Sequence, residues 1–458
     1  MVSKLQRIYD KSPVYFQHVM TTGAGYQRNR SRYGRTYWAE RKWLEEYDQW
    51  SLDQKLEHQS AELLRLVRHA VVASPFYEDL YSDVDLDAVD SVSSLDKLPI
   101  VDKEMLRKHM DQVYAIPRRG AVVGHTGGTT GKSLEILMTP VDMMKRMAML
   151  DHFKHRVGFE HREMTRATFN GKHIVPPNRA TNTFWRYNHS CRQMIYSSFH
   201  ITDDNLGNYV RSLNRFKPAA LDGFFTSWVD VASYIERMDM KVEFKPVGIF
   251  PTSETVTDTG RALLERVFDC PVYNQYASSE GAPFVTECRN GALHQELSTG
   301  VFENGVDNEI LVTSFTTYGT PLIRYAIGDS MTFGETTQCA CGISGPIVMA
   351  ISGRNDDFLY RADGAKINSG NVSNLFKNMP NSLIRAQAIQ DERDAVLMLL
   401  EVDTLRYTHD DDELLRDEFE HKFGPDTKLL IRHVDAIPRE TSGKYRLIKN
   451  NVPKSSHE

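Results

Sequence analysis

The chain has 458 residues, 41% hydrophobic and 25% charged, with a formal net charge of −6. That balance is ordinary for a globular protein and excludes a strongly basic nucleic-acid binder or a low-complexity chain. The five cysteines are an odd set behind a start, Met1-Val-Ser-Lys-Leu-Gln-Arg, too polar for a signal peptide, so reduced thiols in the cytoplasm are expected.

Residues 1–50 read as an N-terminal arm. Arg28, Arg30, Arg32, Arg35, Arg41 and Lys42 are interleaved there with Tyr26, Tyr33, Tyr37, Trp38 and Trp43. One reading is a surface for an anionic polymer or membrane. The expected one is an arm that packs its aromatics on the main body and leaves its arginines in water. Residues 52–72 carry Leu56, Leu63, Leu66, Val67 and Ala70 at helical spacing. The stretch Gly124–Ser133 reads Gly-His-Thr-Gly-Gly-Thr-Thr-Gly-Lys-Ser. Its glycines, hydroxyls and single lysine suit phosphate oxygens. It is not a Walker loop, because Thr126 stands where that motif needs glycine, and the apolar run Leu134–Met138 behind it reads as a strand, not a helix. His125 inside the loop suits backbone hydrogen bonding as well as catalysis.

A helix is predicted over Val141–Val157, with Met143, Met144, Met147 and Leu150 as core residues, and another over 226–239 with Thr226 and Ser227 as caps. His152 and His155 read as surface or packing residues. Short β-like runs lie at Ala167–Phe169, Val247–Phe250, Val272–Tyr276 and Glu309–Ser314. Helices alternating with strands favour an α/β architecture. Phe224, Phe225 and Trp228 suit either an apolar acyl pocket or the core. A boundary is expected near 353–366, followed by a charged unit with strand-like runs Ala386–Ile389, Ala395–Val402 and Lys428–Val434. No apolar run reaches the roughly 18 residues that span a bilayer.

Four more elements carry chemistry. Tyr276-Ala-Ser-Ser-Glu280 joins an aromatic for a base, a hydroxyl at Ser279 and a carboxylate for Mg²⁺. Pro321-Leu-Ile-Arg-Tyr-Ala-Ile-Gly-Asp329 ends on a carboxylate suited to ribose hydroxyls. Gly353-Arg-Asn-Asp-Asp357 and Thr441-Ser-Gly-Lys-Tyr-Arg446 are exposed turns. A surface ion pair or turn would explain each taken singly. Cys288, His294, Cys339 and Cys341 offer four ligands for a tetrahedral Cys₃His zinc site. The alternative is reduced thiols and an imidazole in loops. Cys191 and Cys270 read as buried small apolar residues.

Taken in order, these motifs resemble the adenylate-forming (ANL) superfamily along the whole chain. Leu98-Pro-Ile-Val-Asp-Lys-Glu and Lys217-Pro-Ala-Ala-Leu-Asp-Gly-Phe-Phe-Thr-Ser are similar to the phenylacetate–CoA ligase family, and within it to the CapK-like branch associated with polysaccharide biosynthesis. The resemblance implies an α/β fold. A large N-terminal domain of mixed sheets and helices would span 1–355, and a small mobile α+β C-terminal domain would span 356–458. It implies ATP-dependent activation of a small carboxylic acid to an acyl-adenylate with pyrophosphate release, then acyl transfer. CoA is the expected acceptor, and an amine or sugar the alternative; a non-enzymatic homologue is disfavoured by the intact Lys444, Glu280 and Asp329. Lys444 and Glu280 would be catalytic, Glu280 by holding Mg²⁺. Thr126, Gly127, Gly128, Thr129, Thr130 and Lys132 would hold phosphates, with Ser279 donating a hydroxyl. Tyr276 would stack on adenine, Asp329 and Arg354 would bind ribose, and Asp356 would be the hinge. A zinc-bearing Cys-x-Cys-Gly turn also recurs in this branch, which implies structural zinc on Cys288, His294, Cys339 and Cys341. Neither nucleic acid nor a membrane span is implied, and a homodimer is compatible.

Three departures stand out. Tyr-Gly-x-Thr-Glu is replaced by Tyr276-Ala-Ser-Ser-Glu, and Ser133 stands where proline is common. Residues 362–371, Ala-Asp-Gly-Ala-Lys-Ile-Asn-Ser-Gly-Asn, depart from the segment that faces the thiol acceptor in that family, which puts CoA itself in question.

Overall fold

A computed structural model describes residues 4–125, 134–172, 174–175, 181–305, 309–352, 358–363, 366–368, 372, 374–376, 379, 382–438 and 446–453. The apolar run behind the phosphate loop forms strand β2 (Glu135–Met138), antiparallel to β1 (Val122–His125). The strand expected behind the loop is therefore present, and residues 126–133 connect two antiparallel strands.

Five strands form the next sheet: β3 (Arg166–Asn170), β4 (Trp185–Asn188), β5 (Gln193–Ser197), β6 (Ala220–Phe224) and β7 (Gly248–Thr252). Their order is β4-β5-β3-β6-β7, with β5, β3, β6 and β7 parallel and β4 antiparallel at the edge. Parallel strands need cover on both faces. Helices Asp203–Phe216, Phe225–Arg237 and Asp258–Phe268 enclose one core with Phe169, Leu221, Ile249 and Trp228. Helices Arg35–Tyr47 and Pro140–His155 enclose another with Tyr37, Phe153 and Phe250. Gly223 turns the chain from β6 toward its helix at φ +102°, and a Cβ there would lie 1.7 Å from Phe169 O. Only glycine fits.

Seven strands form the second sheet: β8 (Gln275–Tyr276), β9 (Val285–Glu287), β10 (Leu293–Gln295), β11 (Gly300–Asn304), β12 (Glu309–Ser314), β13 (Tyr325–Phe333) and β14 (Ile347–Ser352). They run β11-β12-β13-β14-β10-β9-β8. The Leu52–Ala73 helix covers this sheet, starting at a Ser51–Gln54 capping box. Residues 358–453 close around a separate core that includes Leu359, Ala388, Val396, Met398, Leu400, Leu415 and Phe419. Its strands are β15 (Phe358–Tyr360), β16 (Lys366–Asn368), β17 (Leu383–Glu392), β18 (Ala395–Val402), β19 (Lys428–Val434) and β20 (Ile448–Asn450), and helix His409–Phe423 packs on them. Among the described residues, no helix is long and apolar enough to cross a membrane.

Several expectations need correction. Leu56 is 39% exposed, because the buried stripe of its helix runs through Lys55, Gln59, Leu63, Leu66 and Ala70 and leaves Leu56 at its side. Thr226 and Ser227 do not cap the Phe225–Arg237 helix. Glu254, beyond β7, accepts from Thr226 N at 2.7 Å instead. A carboxylate from a neighbouring strand end satisfies the free N–H and meets the positive end of the helix dipole. Of the two readings of Phe224, Phe225 and Trp228, the core is the one observed. Of Val272–Tyr276 only the last two residues are a strand, Val272 making a lone bridge to Ile249. The arm packs as expected through buried Tyr37, but Tyr26 and Trp38 stay exposed and Arg41 is buried. Arg41 Nη1 reaches Tyr37 OH at 3.5 Å. His152 is buried against Asp48 Oδ2 at 2.8 Å, and His155 meets Glu160 at the surface. Cys191 and Cys270 are buried as read.

Candidate active site

Thr126, Gly127, Gly128, Thr129, Thr130, Lys132, Ser133, Arg354, Asp356 and Lys444 lie outside the described residues, as does the His125 side chain. The flanks of these segments are placed. A Cβ on Gly124 would lie 3.8 Å from Ser279 O, so the β1 strand that leads into residues 126–133 runs against the Tyr276–Glu280 segment.

Tyr276 and Asp329 are 53 residues apart and meet directly, the phenol donating to Asp329 Oδ2 at 2.7 Å. The Asp329 carboxylate owes its direction to its strand. The β12–β13 register shifts between Glu309, opposite Ser330, and Leu311, opposite Ala326. Gly328 in the bulge has φ +81°. Bulges re-aim side chains next to sites. Gln275 Nε2 donates to Pro251 O at 3.0 Å, which ties β8 to the carboxyl end of β7 and so joins the two sheets.

Glu280 is 2% exposed, and its Oε2 has no hydrogen-bond partner among the described residues. A buried, unpaired carboxylate oxygen is costly unless a cation or donor meets it. A divalent cation held by one carboxylate and phosphate oxygens fits this environment. Ser278 uses its hydroxyl to accept from Ala282 N at 3.0 Å, whereas Ser279 is exposed on the hairpin side. Gly281 follows at φ +104°.

The sequence reading missed Arg146, which holds this turn. Its Nη1 donates to Gly281 O at 2.7 Å, Ala282 O at 2.9 Å and Thr316 Oγ1 at 3.0 Å. Its guanidinium lies 4.7 Å from the Phe284 ring centre, and burial pushes its pKa down to about 10. The signal was available: Arg146 shares a helix face with Met143 and Leu150, spaced three and four residues away.

Cys288, His294, Cys339 and Cys341 come together, their ligand atoms all within 4.8 Å of one another. Cys288 follows β9, His294 stands on β10, and the two later cysteines lie in the loop between β13 and β14. Cys288 Sγ lies 3.7 Å from Cys339 Sγ, and Cys341 Sγ 3.4 Å from His294 Nε2. A tetrahedral zinc ion with ordinary bond lengths would set S···S near about 3.8 Å and S···N near about 3.5 Å. Ile343 N donates to Cys341 Sγ at 3.4 Å, and Gly342 at φ +91° closes the turn.

The C-terminal unit reaches the first unit through a buried ion pair. Arg385 on β17 meets Asp230 Oδ2 of helix Phe225–Arg237 at 2.6 Å and Glu401 Oε2 at 3.1 Å. Gln387, two residues along β17, donates to Arg446 O at 2.7 Å. The chain therefore re-enters the described structure two residues after Lys444, beside the strand that touches the first unit.

Comparison with known proteins agrees with this architecture. Residues 359–451 match the CapK C-terminal domain family. The described fold is similar to that of a 2-hydroxyisobutyryl-CoA ligase solved in the postadenylation state with R3-HIB-AMP. The TM-score is 0.71 at 14% identity, over 88% of this chain and 91% of that one. An open conformation of that ligase with 2-HIB-AMP and CoA gives 0.57 at 14% identity, over 88% and 92%. An acyl acid amido synthetase in complex with 2,4-DB gives 0.56 at 13%, over 86% and 88%. The fold is thus that of the adenylate-forming ligases. The chain is also 33% identical to Protein CapK of Staphylococcus aureus over 453 residues, 98% of this chain and all of that protein. With that identity sustained from end to end, the chain belongs to the CapK family.

Proposed function

We propose that this protein activates a carboxylic acid with ATP, forming an acyl-adenylate and releasing pyrophosphate, and then transfers the acyl group to an acceptor. The meeting of Tyr276 with Asp329, beside buried Glu280 and against the phosphate hairpin, carries this reading. Tyr276 offers its ring to adenine while its hydroxyl orients Asp329 toward the ribose hydroxyls, with Arg354 as second ribose partner. Thr126, Gly127, Gly128, Thr129, Thr130, Lys132 and Ser279 hold the phosphate oxygens. Glu280 would hold Mg²⁺, which would supply charge neutralisation to those phosphates. The acid carboxylate attacks the α-phosphorus, the bond to the bridging oxygen breaks, and Lys444 stabilises the charge that develops there.

In this reading the chain forms two domains, 1–355 and 356–458, with Asp356 as hinge. The second domain presents Lys444 for adenylation and then rotates for transfer, a gating motion. The likeness in domain arrangement to the postadenylation ligase supports the present orientation as the adenylating one. The Arg385–Asp230 pair would hold it. Removing one partner of a buried pair leaves an uncompensated charge. Arg385→Ala should therefore slow pyrophosphate release about tenfold and leave acyl transfer from preformed acyl-adenylate near wild type. Equal slowing of both half-reactions, measured on one preparation, would remove the positioning role.

The acceptor is CoA or, as the departure at residues 362–371 favours, an amine or sugar in polysaccharide biosynthesis. Zinc on Cys288, His294, Cys339 and Cys341 is structural, since four protein ligands leave no open position. The setting is cytoplasmic, and a homodimer fits the same chemistry. The deciding experiment incubates the protein with ATP, Mg²⁺ and a panel of acids, with and without CoA or amines, and follows pyrophosphate. Acid-dependent release is expected. No release with any acid would overturn the adenylating assignment, and release without any thioester would exclude CoA.

A further inference from the structure

The outer face of the N-terminal arm is apolar and uncovered. Helix Val14–Asn29 lies along the edge strand β4 and is held there from one side. Arg186 Nε donates to Gln17 Oε1 at 2.7 Å, Tyr187 N to His18 Nδ1 at 2.7 Å, and Asn29 Nδ2 to Ser190 Oγ at 3.1 Å. Gly25 faces the same way, since a Cβ there would lie 2.3 Å from Asn188 Oδ1. The opposite face carries Tyr15, Val19 and Tyr26 in one stripe with Phe16 beside it, and these four are 53–73% exposed. Gly23 stands in that stripe, and a Cβ there would meet nothing within 4 Å. The preceding helix, Lys4–Lys11, is anchored by Tyr9, whose hydroxyl donates to Ile174 O at 2.9 Å, and it exposes Leu5 and Ile8. Apolar residues scattered singly on a surface are ordinary, but a continuous stripe on a helix pinned by its other face marks a contact.

The charge of the arm says what covers this face. Residues 1–35 hold seven Lys and Arg against one acid, Asp10, a net +6 in a chain of −6, so the remaining residues sum to −12. Arg30 continues the stripe one turn beyond Tyr26, and Arg7 and Lys11 are exposed on the first helix. None of these three cations has an ion-pair partner among the described residues. Apolar side chains beside unpaired cations, on a helix that lies flat against the body, suit a bilayer interface with anionic headgroups. Tyr15 and Tyr26 offer amphipathic rings of the kind that settle at headgroup level, and Lys and Arg stems lie along apolar surface while their charges reach phosphates. The helix has 16 residues and stays on the body, so it would lie on a bilayer and not cross it. A second copy of this face fits worse, because a two-fold contact would bring the same cations together from both sides.

We infer that the arm docks this protein reversibly on an anionic phospholipid surface, with Tyr15, Phe16, Val19 and Tyr26 among the headgroups and Arg7, Lys11 and Arg30 on lipid phosphates. The attachment is peripheral. Its strength adds a small buried apolar area to a charge attraction, and neither alone suffices. It is independent of the adenylating reading, since no residue of the candidate active site takes part.

Vesicle flotation of the full chain tests it. Wild type should bind phosphatidylcholine vesicles containing about 30% phosphatidylglycerol at least about tenfold more tightly than phosphatidylcholine alone. Salt at roughly 0.5 M should release it. Tyr15→Ser/Phe16→Ser/Val19→Ser and Arg7→Ala/Lys11→Ala/Arg30→Ala should each weaken binding at least about tenfold. Val72→Ser, at an exposed apolar residue of the Leu52–Ala73 helix, should float as wild type. All the substituted side chains are exposed, so melting curves should stay near wild type. The single changes Phe16→Ser and Arg30→Ala, worth about threefold each, serve if a triple variant does not fold. Sedimentation velocity without lipid asks whether the face binds a second copy instead, and wild type and the triple serine variant should sediment alike. No flotation, equal binding to neutral and anionic vesicles, indifference to either set of substitutions, or an oligomer abolished by the same serines would overturn the inference.

Discussion

Lys444→Ala should yield a folded protein that binds ATP and releases almost no pyrophosphate. Lys444 stands in Thr441-Ser-Gly-Lys-Tyr-Arg446, and the carbonyl of Arg446 is anchored to Gln387 on β17. The same strand reaches the first unit through Arg385 and Asp230. Arg446, two residues after the lysine, is thus tethered on the side of the small unit that touches the large one. A charge that meets the reacting phosphate in the transition state is worth about 10²-fold or more in rate. It contributes little to ground-state binding, so affinity for ATP should change little. The check is pyrophosphate release beside nucleotide binding and a melting curve on the same preparation. Wild-type release by the variant would remove Lys444 from the mechanism. Loss of ATP binding in parallel with activity would make it a binding residue instead.

Cys339→Ser or Cys341→Ser should lose bound zinc and stability together while leaving the chemistry of the surviving folded fraction intact. The cluster joins the end of β9, β10 and the β13–β14 loop. Those strands lie in the sheet that carries Tyr276 at one edge and Asp329 on β13. A metal there would stitch that sheet across its middle. Structural zinc contributes its binding free energy to folding, so the melting temperature should fall by roughly 10 °C or more. Chelation of the wild type should reproduce the loss. Metal analysis of the purified protein decides the matter: less than stoichiometric zinc, or a serine variant with unchanged melting, would leave the thiols without a metal role.

The parts legible in the sequence are those whose physics is local. The apolar run Leu134–Met138 marked β2, because strand propensity depends there on adjacent residues. Helical spacing marked Leu52–Ala73 and Pro140–His155, and short strand-like apolar runs marked β12, β18 and β19. The cysteine cluster was legible because few residue types bind zinc, so four of them narrow the choice even at a distance. Motif order suggested the family, which identity along the chain then established.

Tertiary structure decided what depends on which residues meet. Helical spacing put Arg146 on one face with Met143 and Leu150, but not what that face would meet; only packing set its guanidinium against Gly281 O and Ala282 O. Glu254 replaced the expected caps because two strand ends lie side by side in the parallel sheet. Phe224, Phe225 and Trp228 went to the core rather than a pocket because helices cover that face of the sheet. The arm's arginines read as solvated charge, yet Arg41 is buried and reaches Tyr37 OH at 3.5 Å. A long side chain is buried or solvated according to the surface its helix is packed against, so the fate of each of the arm's charges shows itself only in the folded chain.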